Sequence, residues 1–384
     1  MNSIEENKND NNYNKSEVAG RMSGKKTLLL DRVKSKVLRL FSITVDIDEK
    51  REKEIKNEAL NLFRKISEMD GVEFSFEQLK DIVDNIYLTY VDSFKSPYTA
   101  GKYCYVFNQV ILKKDVVNGE LIRNKKTRMH ELIHGVTGRK IKEYTQNGYS
   151  GLLEGETESI VAGQFDDGTS GIVDTDIKIN NNSDAKIHFN FPLFTSYKMP
   201  VCLVRQMEII LGKTSINSIL KGDRSFEMEF SSRYGERILD IVARAARKTR
   251  SFEMIDRRNR KVFDCVNIFR NAQNELMRVA FNTDAVLIKT PEDAEKYFEK
   301  LRQFELVRAR FLISNNRQKV LYEDKTYVNY YNEKYRQVSD MLFAYGYDDE
   351  CIDKHLNKYR YRRQEFGQAT EYYSKVNSNN GEER

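Results

Sequence analysis

The chain has 384 residues, 40% of them hydrophobic and 32% charged, and its mean hydropathy is −0.67. This composition is typical of a globular protein and excludes a chain that is disordered throughout. No apolar run approaches the roughly 20 residues of a transmembrane helix, and no Sec-type signal precedes residue 25, so we expect a cytoplasmic protein without a membrane span.

The net charge is +6, and the basic and acidic residues are interspersed along the chain. A protein that binds nucleic acid more often concentrates its basic residues in one stripe, so nucleic acid is not an expected partner. The basic and aromatic residues at 360–363 are interpreted as a solvated helix face. The four cysteines contain no CxxC pair, which predicts reduced thiols and excludes a zinc knuckle of that type.

Glycine divides the chain into regions. Ten of the 19 glycines lie between Gly101 and Gly171, whereas only three follow Gly235. This distribution predicts turns in the middle of the chain and long helices in its C-terminal third. We predict a disordered N-terminus at 1–24 and a helical N-terminal region at 25–95. A catalytic core follows at 96–235, then a helical C-terminal region at 236–376 and a disordered tail at 377–384.

Apolar spacing predicts the elements within these regions. Apolar residues recur every three to four positions over 26–45, 51–69 and 75–92, which predicts two or three N-terminal helices. Alternating aromatic and branched residues over 103–113 predict a strand or hairpin. Further helices are predicted at 122–138 and 152–164, at a segment that ends at Gly212, and from Thr290 with proline in the first turn.

The most informative segment is the HExxH motif from His130 to His134. Residues four apart lie on one face of a helix, so both imidazoles can bind one zinc ion. Glu131 can reach a metal-bound water without being a ligand, and it can act there as the general base. The chain has four histidines, and a random shuffle of its composition yields roughly 0.004 matches to this motif. The alternative is a surface helix with two incidental histidines.

A catalytic zinc site needs a third protein ligand. Thr137 and Lys140 occupy the positions of the metzincin glycine and histidine, which excludes that group. Glu154 follows His134 by twenty residues, enough for a turn and a returning helix to bring its carboxylate to the metal. Glu158 is four residues further on, where it can accept a hydrogen bond from a ligand histidine. On its own, a helix rich in glutamate is usually a solvated face, but its position one loop after HExxH favours Glu154 as the third ligand.

The sequence HELIH followed by LLEGETE resembles the gluzincin zinc metallopeptidases over residues 100–212. The resemblance implies His130, His134 and Glu154 as zinc ligands, Glu131 as general base and Glu158 as a partner of a ligand histidine. It also implies an α+β fold: a zincin-like core with a small mixed or antiparallel sheet and an active-site helix, flanked by mainly helical regions. Leu153 replaces the asparagine that is usual before the third ligand, and no GxMEN-type motif is present.

Gluzincins commonly add a tyrosine or histidine that stabilises the oxyanion. The candidates are Tyr197 and His188, with Tyr234 behind them, although each is also explained as a structural residue. The segment from Gly101 to Leu112 resembles the strand that precedes the zinc helix in gluzincins. Its edge could bind an extended peptide by strand addition, or it could be an ordinary sheet strand.

These observations predict a zinc-dependent peptidase that acts on a protein or peptide, with endopeptidase activity favoured. The alternative is a degenerate zincin fold that binds or regulates a partner without cleaving it. A third reading is an effector or toxin delivered by a route that needs no Sec signal.

Overall fold

A computed structural model of the protein describes residues 44–68, 72–96, 99–164, 197–250, 252, 260–314 and 326–359. Several sequence predictions fall outside these residues: the disordered termini at 1–24 and 377–384, the helical spacing over 26–43, and the basic cluster at 360–363. Among the described helices, none is long and apolar enough to cross a membrane.

The described residues form an α+β structure that is mostly helical and contains one four-stranded sheet. The strands are β1 (Val45–Asp46), β2 (Tyr87–Val91), β3 (Gly101–Cys104) and β4 (Gln109–Lys113). The helices of the first half are α1 (Glu49–Ser67), α2 (Phe76–Asp84), α3 (Lys114–Asn118), α4 (Ile122–Asn147), α5 (Ser150–Gln164), α6 (Lys198–Leu211), α7 (Ile216–Lys221) and α8 (Ser225–Tyr234). The later helices are α9 (Glu236–Thr249), α10 (Arg260–Ala285), α11 (Pro291–Ser314), α12 (Thr326–Ala344) and α13 (Asp349–Leu356), followed by a 3-10 turn at Asn357–Tyr359.

The sheet is mixed and has the strand order β1-β2-β4-β3. Strand β2 runs parallel to β4, whereas β1 is antiparallel to β2 and β3 is antiparallel to β4. Of the strand or hairpin predicted at 103–113, the structure shows the hairpin: β3 and β4 are joined by a turn in which Asn108 adopts a φ of 48°. This connection places β3 at the edge of the sheet, where it packs against α4.

The predicted helix over 75–92 is wrong in its second half. Helix α2 begins at a capping box formed by Ser75 and Gln78 and ends at Asp84, and residues 87–91 form β2 instead. The apolar spacing continues past Asn85 by coincidence. Aromatic and β-branched residues are dense over 87–91, and such residues fit a half-buried strand better than a helix.

Other element predictions are confirmed with extended bounds. The helices predicted at 122–138 and 152–164 are α4 and α5, and α6 ends before Gly212 in its left-handed conformation. Helix α11 begins at Pro291, where the Thr290 hydroxyl accepts the backbone N–H of Asp293 at 3.2 Å.

One hydrophobic core joins elements from both sides of Gly235. Helix α9 packs against α5 and α10, and α6 packs against α11. Gln206 on α6 accepts a hydrogen bond from Gln273 at 2.8 Å and donates one to the carbonyl of Phe304 at 3.1 Å. The region boundaries predicted from composition stay a prediction, but the C-terminal helices support α5 and α6 directly.

Candidate metal centre

Helix α4 carries the HExxH motif, and Arg128 anchors its N-terminal part. The Arg128 side chain is fully buried and makes five hydrogen bonds. Three join the carboxylate of Glu58 on α1 at 2.7–3.0 Å, and two join the carbonyls of Val116 and Gly119 at 2.8 Å. The start of the helix is therefore fixed to α1 and to the segment around α3, two residues before His130.

Helix α5 returns beside α4 after a tight turn. Gly148 ends α4 with a φ of 80°, a conformation that a residue with a Cβ rarely adopts. A Cβ at Gly151 would lie 2.3 Å from the backbone of Ala246, and one at Gly155 would lie 2.7 Å from the backbone of Pro200. Because both glycines lack a side chain, α9 and α6 pack closely on α5.

This packing brings Glu154 of α5 to the two histidines of α4. The Nε2 atoms of His130 and His134 are 3.0 Å apart, and they lie 3.1 and 3.2 Å from Oε2 of Glu154. The two histidines are each 7% exposed. Among the described residues, these three form the group of histidine, cysteine and acidic side chains whose atoms converge closely enough to hold a metal ion.

The spacing and chemistry of these atoms fit a zinc ion. Tetrahedral ligands at about 2.0–2.1 Å from zinc stand about 3.3–3.4 Å from one another, close to the observed separations. Nδ1 of His130 lies 2.9 Å from Glu158, so a neutral His130 places its proton there and turns the Nε2 lone pair toward two further acceptors. If the proton of His134 also lies on its Nδ1, both Nε2 lone pairs converge with the Glu154 oxygen, and a cation among them relieves their repulsion.

The electrostatics of the cluster also favour a positive charge among these side chains. Burial acts to lower the pKa of His130, but hydrogen bonds to Glu154 and Glu158 outweigh it and hold this pKa well above its usual range. Burial likewise acts to raise the pKa of Glu154, but His134 and His130 hold it far below its usual range. Nδ1 of His134 is buried and has no hydrogen-bond partner among the described residues.

Glu131 lies beside the cluster but is not one of the converging ligands. Its side chain is 9% exposed, and its carboxyl accepts a hydrogen bond from the backbone of Tyr103 on β3. Burial raises the pKa of Glu131, and the nearby His130 and His134 only partly offset this shift. The arrangement separates a ligand set from a neighbouring carboxyl that can accept a proton.

Tyr197 also contacts the cluster. Its ring stacks on His130 with the ring centroids 5.6 Å apart and an interplanar angle of 24°. Its backbone φ is 58°, which is uncommon for a residue with a large side chain and indicates that surrounding contacts hold it there. Burial and the charges of Glu154 and Glu131 raise the pKa of Tyr197 far above its usual value. The hydroxyl therefore stays protonated at neutral pH and can donate a hydrogen bond.

The other two oxyanion candidates are not part of this cluster. His188 lies outside the described residues. The Tyr234 hydroxyl lies 3.2 and 3.3 Å from the carboxylate of Asp284, at the contact between α8 and α10. Tyr234 therefore joins two helices and does not face the metal ligands through its hydroxyl.

Sequence reasoning missed the contacts that Arg128, Gly101 and Tyr103 make around the motif helix. Arg128 is four residues before Leu132 and shares its buried helix face, and a charged residue on such a face indicates a buried ion pair. For Gly101 and Tyr103 the sequence holds no comparable signal, because their role depends on how β3 packs against α4.

Comparison with known proteins returns no family model, no curated protein and no solved structure that matches this chain.

Proposed function

We propose that the protein is a zinc metallopeptidase of the gluzincin type, in which His130, His134 and Glu154 hold the metal. The observation that carries this proposal is the convergence of their three ligand atoms, 3.0–3.2 Å apart, next to the buried carboxyl of Glu131. In this proposal the mixed sheet, α4 and α5 form the zincin-like core.

Each residue of the cluster then has a separate role in peptide hydrolysis. Zinc, when bound, supplies a Lewis acid that polarises a peptide carbonyl and makes water a stronger acid. Glu131 accepts the proton of the attacking water and delivers it to the nitrogen of the leaving amine. Glu158 holds Nδ1 of His130 at 2.9 Å and so fixes the orientation of the ligand ring. Tyr197 donates a hydrogen bond to the oxyanion from its protonated hydroxyl.

The edge of β3 supports a peptide as the substrate. The amide of Lys113 donates to the carbonyl of Ala100 at 2.9 Å, so Ala100 faces β4 and the outward-facing positions of β3 are Gly101 and Tyr103. Among the described strands none pairs with this edge. The Tyr103 amide is held by Glu131, so an extended peptide that adds there as a further strand pairs with the other outward-facing groups of Gly101 and Tyr103. Strand addition needs neither terminus of the peptide, and this favours an endopeptidase.

The first test is the metal content. Protein purified without added metal should contain about one zinc ion per chain by plasma mass spectrometry, and Glu154→Ala should lose it because a catalytic site needs three protein ligands. Glu333→Ala, which removes an exposed glutamate on α12, is the matched control and should retain the metal.

The second test separates metal binding from hydrolysis. Glu131→Gln should keep zinc but lose turnover of an unstructured protein substrate by about 10²–10⁴-fold, the usual contribution of a general base. Retained turnover would refute the role of Glu131. Folded wild-type protein that neither contains nor takes up zinc would refute the peptidase and favour the alternative of a binding or regulatory protein.

A further inference from the structure

Gly101 and Glu131 are in closer contact than any side chain at position 101 would allow. A Cβ built on Gly101 would lie 2.7 Å from Cγ and 3.0 Å from Oε1 of Glu131. Real Cβ atoms essentially never approach another carbon within 3.0 Å. The Glu131 side chain therefore occupies the space that the side chain of any other residue at position 101 would fill.

The backbone of β3 holds the same carboxyl from a second direction. Residues 101 and 103 direct their N–H and C=O groups away from β4, as the register of the two strands requires. The Tyr103 amide donates to the carboxyl of Glu131. This donor is otherwise an unpaired group at the edge of the sheet, because no described strand lies beyond β3.

The contact also depends on the packing of β3 along α4. The Tyr103 ring lies about two turns further along the helix than Glu131, where a Cβ at Gly138 would lie 3.0 Å from the Tyr103 hydroxyl. That hydroxyl is itself fixed by a hydrogen bond of 2.9 Å to Asn108. These contacts fix the distance between β3 and α4, and β3 in turn determines where the Glu131 carboxyl lies.

We propose that Gly101 is a positioning residue for the general base: its missing side chain provides the space in which the edge of β3 holds the Glu131 carboxyl beside the metal ligands. This inference rests on the proposed function for its effect on catalysis. The contact itself is independent of that function and can be tested separately.

A double-mutant cycle of thermal stability tests the contact. Gly101→Ala should lower the unfolding midpoint by about 2–4 °C when Glu131 is present, because the added methyl group must displace that side chain. In a Glu131→Ala background the same substitution should shift the midpoint by less than half as much. An equal shift in both backgrounds would overturn the inference, whatever the enzymatic activity.

Kinetics test the effect on catalysis. Gly101→Ala should lower kcat by about 100-fold, the cost of a displacement near 1 Å, with KM and zinc content unchanged. Gly346→Ala is the matched control: its methyl group meets no atom within 4 Å, so it adds the same group, with the strain of a φ of 92°, without touching β3 or Glu131, and it should leave kcat within about twofold. An unchanged kcat in Gly101→Ala, with the stability coupling present, would overturn the positioning role.

The two measurements separate this inference from the proposed function. If the wild-type protein hydrolyses no peptide, the proposed function and the positioning role fail together. The stability cycle still decides whether the Glu131 side chain packs in the space beside Gly101. If the wild type is active and the cycle shows no coupling, the proposed function stands and this inference fails.

Discussion

Removing either partner of the Arg128–Glu58 pair should destabilise the protein strongly. Arg128 is fully buried, while the side chain of Glu58 is 27% exposed, so the two partners differ in what each leaves behind. Arg128→Met leaves a carboxylate that water can reach, together with two carbonyls that lose their donor. Glu58→Ala leaves a buried guanidinium that keeps only the bonds to Val116 and Gly119.

The magnitude follows from this asymmetry. Breaking a buried ion pair costs about 3–5 kcal/mol of unfolding free energy, and a variant that leaves a buried cation without its partner should fall in the upper part of that range. We therefore expect Glu58→Ala to cost at least as much free energy of unfolding as Arg128→Met. The double variant should cost less than the sum of the two single variants, since it leaves neither charge isolated.

Urea denaturation followed by circular dichroism measures these effects, because the chain has no tryptophan for fluorescence. Arg278→Met is the matched control, since Arg278 forms an exposed pair with Glu275 at 2.8 Å, and its midpoint should stay nearly unchanged. A midpoint for Arg128→Met as high as that of the control would refute the reasoning. So would strict additivity in the double variant.

Three further predictions concern the site and the C-terminal helices. Tyr197→Phe should keep zinc and KM but lower kcat by about 10²–10³-fold, because the hydroxyl that stabilises the oxyanion is gone. Glu158→Gln should weaken zinc affinity by about 10–100-fold in a chelator competition, because it alters the partner of His130. A hydrogen bond from Lys358 lowers the pKa of Glu295, so this carboxylate stabilises the fold above the ordinary glutamate pKa of about 4.3, and the contribution is lost as the pH falls through the lower folded value. Glu295→Gln should therefore lower the urea midpoint at pH 7 and have no effect in strong acid.

Each of these three predictions has a distinct contradictory result. Wild-type kcat in Tyr197→Phe would refute the role of Tyr197 as the donor to the oxyanion. Unchanged zinc affinity in Glu158→Gln would mean that the orientation of the His130 ring is fixed by packing alone. A deficit of Glu295→Gln that persists in strong acid would show that the substitution disturbs packing and not charge.

Local signals explain why much of the helical structure was predictable. The start of α11 is determined by Thr290 and Pro291, and the end of α6 by Gly212, within one turn of the residues concerned. The ligand pair of His130 and His134 was equally accessible, because a spacing of four on one helix fixes their relation before any tertiary contact forms.

Signals that mislead or are absent explain the rest. Residues 87–91 continue the helical spacing of α2 yet form β2, because pairing with β4 overrides a local pattern. Glu154 was proposed from its spacing after HExxH and from the resemblance, but a spacing of twenty residues permits many geometries. Its approach to His134 within 3.2 Å depends on glycines of α5 that meet α6 and α9, and this pairing of helices is not encoded in the motif.

Within the site, too, some residues can be predicted from local sequence signals and others depend on tertiary packing. The three converging ligands and Glu158 lie within 29 residues on two consecutive helices, and such a group can be found by reading along the chain. Glu131 is held instead by β3, about thirty residues earlier, and the His130 ring beside it is covered by Tyr197, more than sixty residues later. A metal ion can be held by the first set alone, whereas a general base also needs the second set to fix and desolvate its carboxyl. A chain that kept the motif and lost Gly101 should therefore bind zinc and hydrolyse poorly, and for this reason zinc content and turnover must be measured on the same variants.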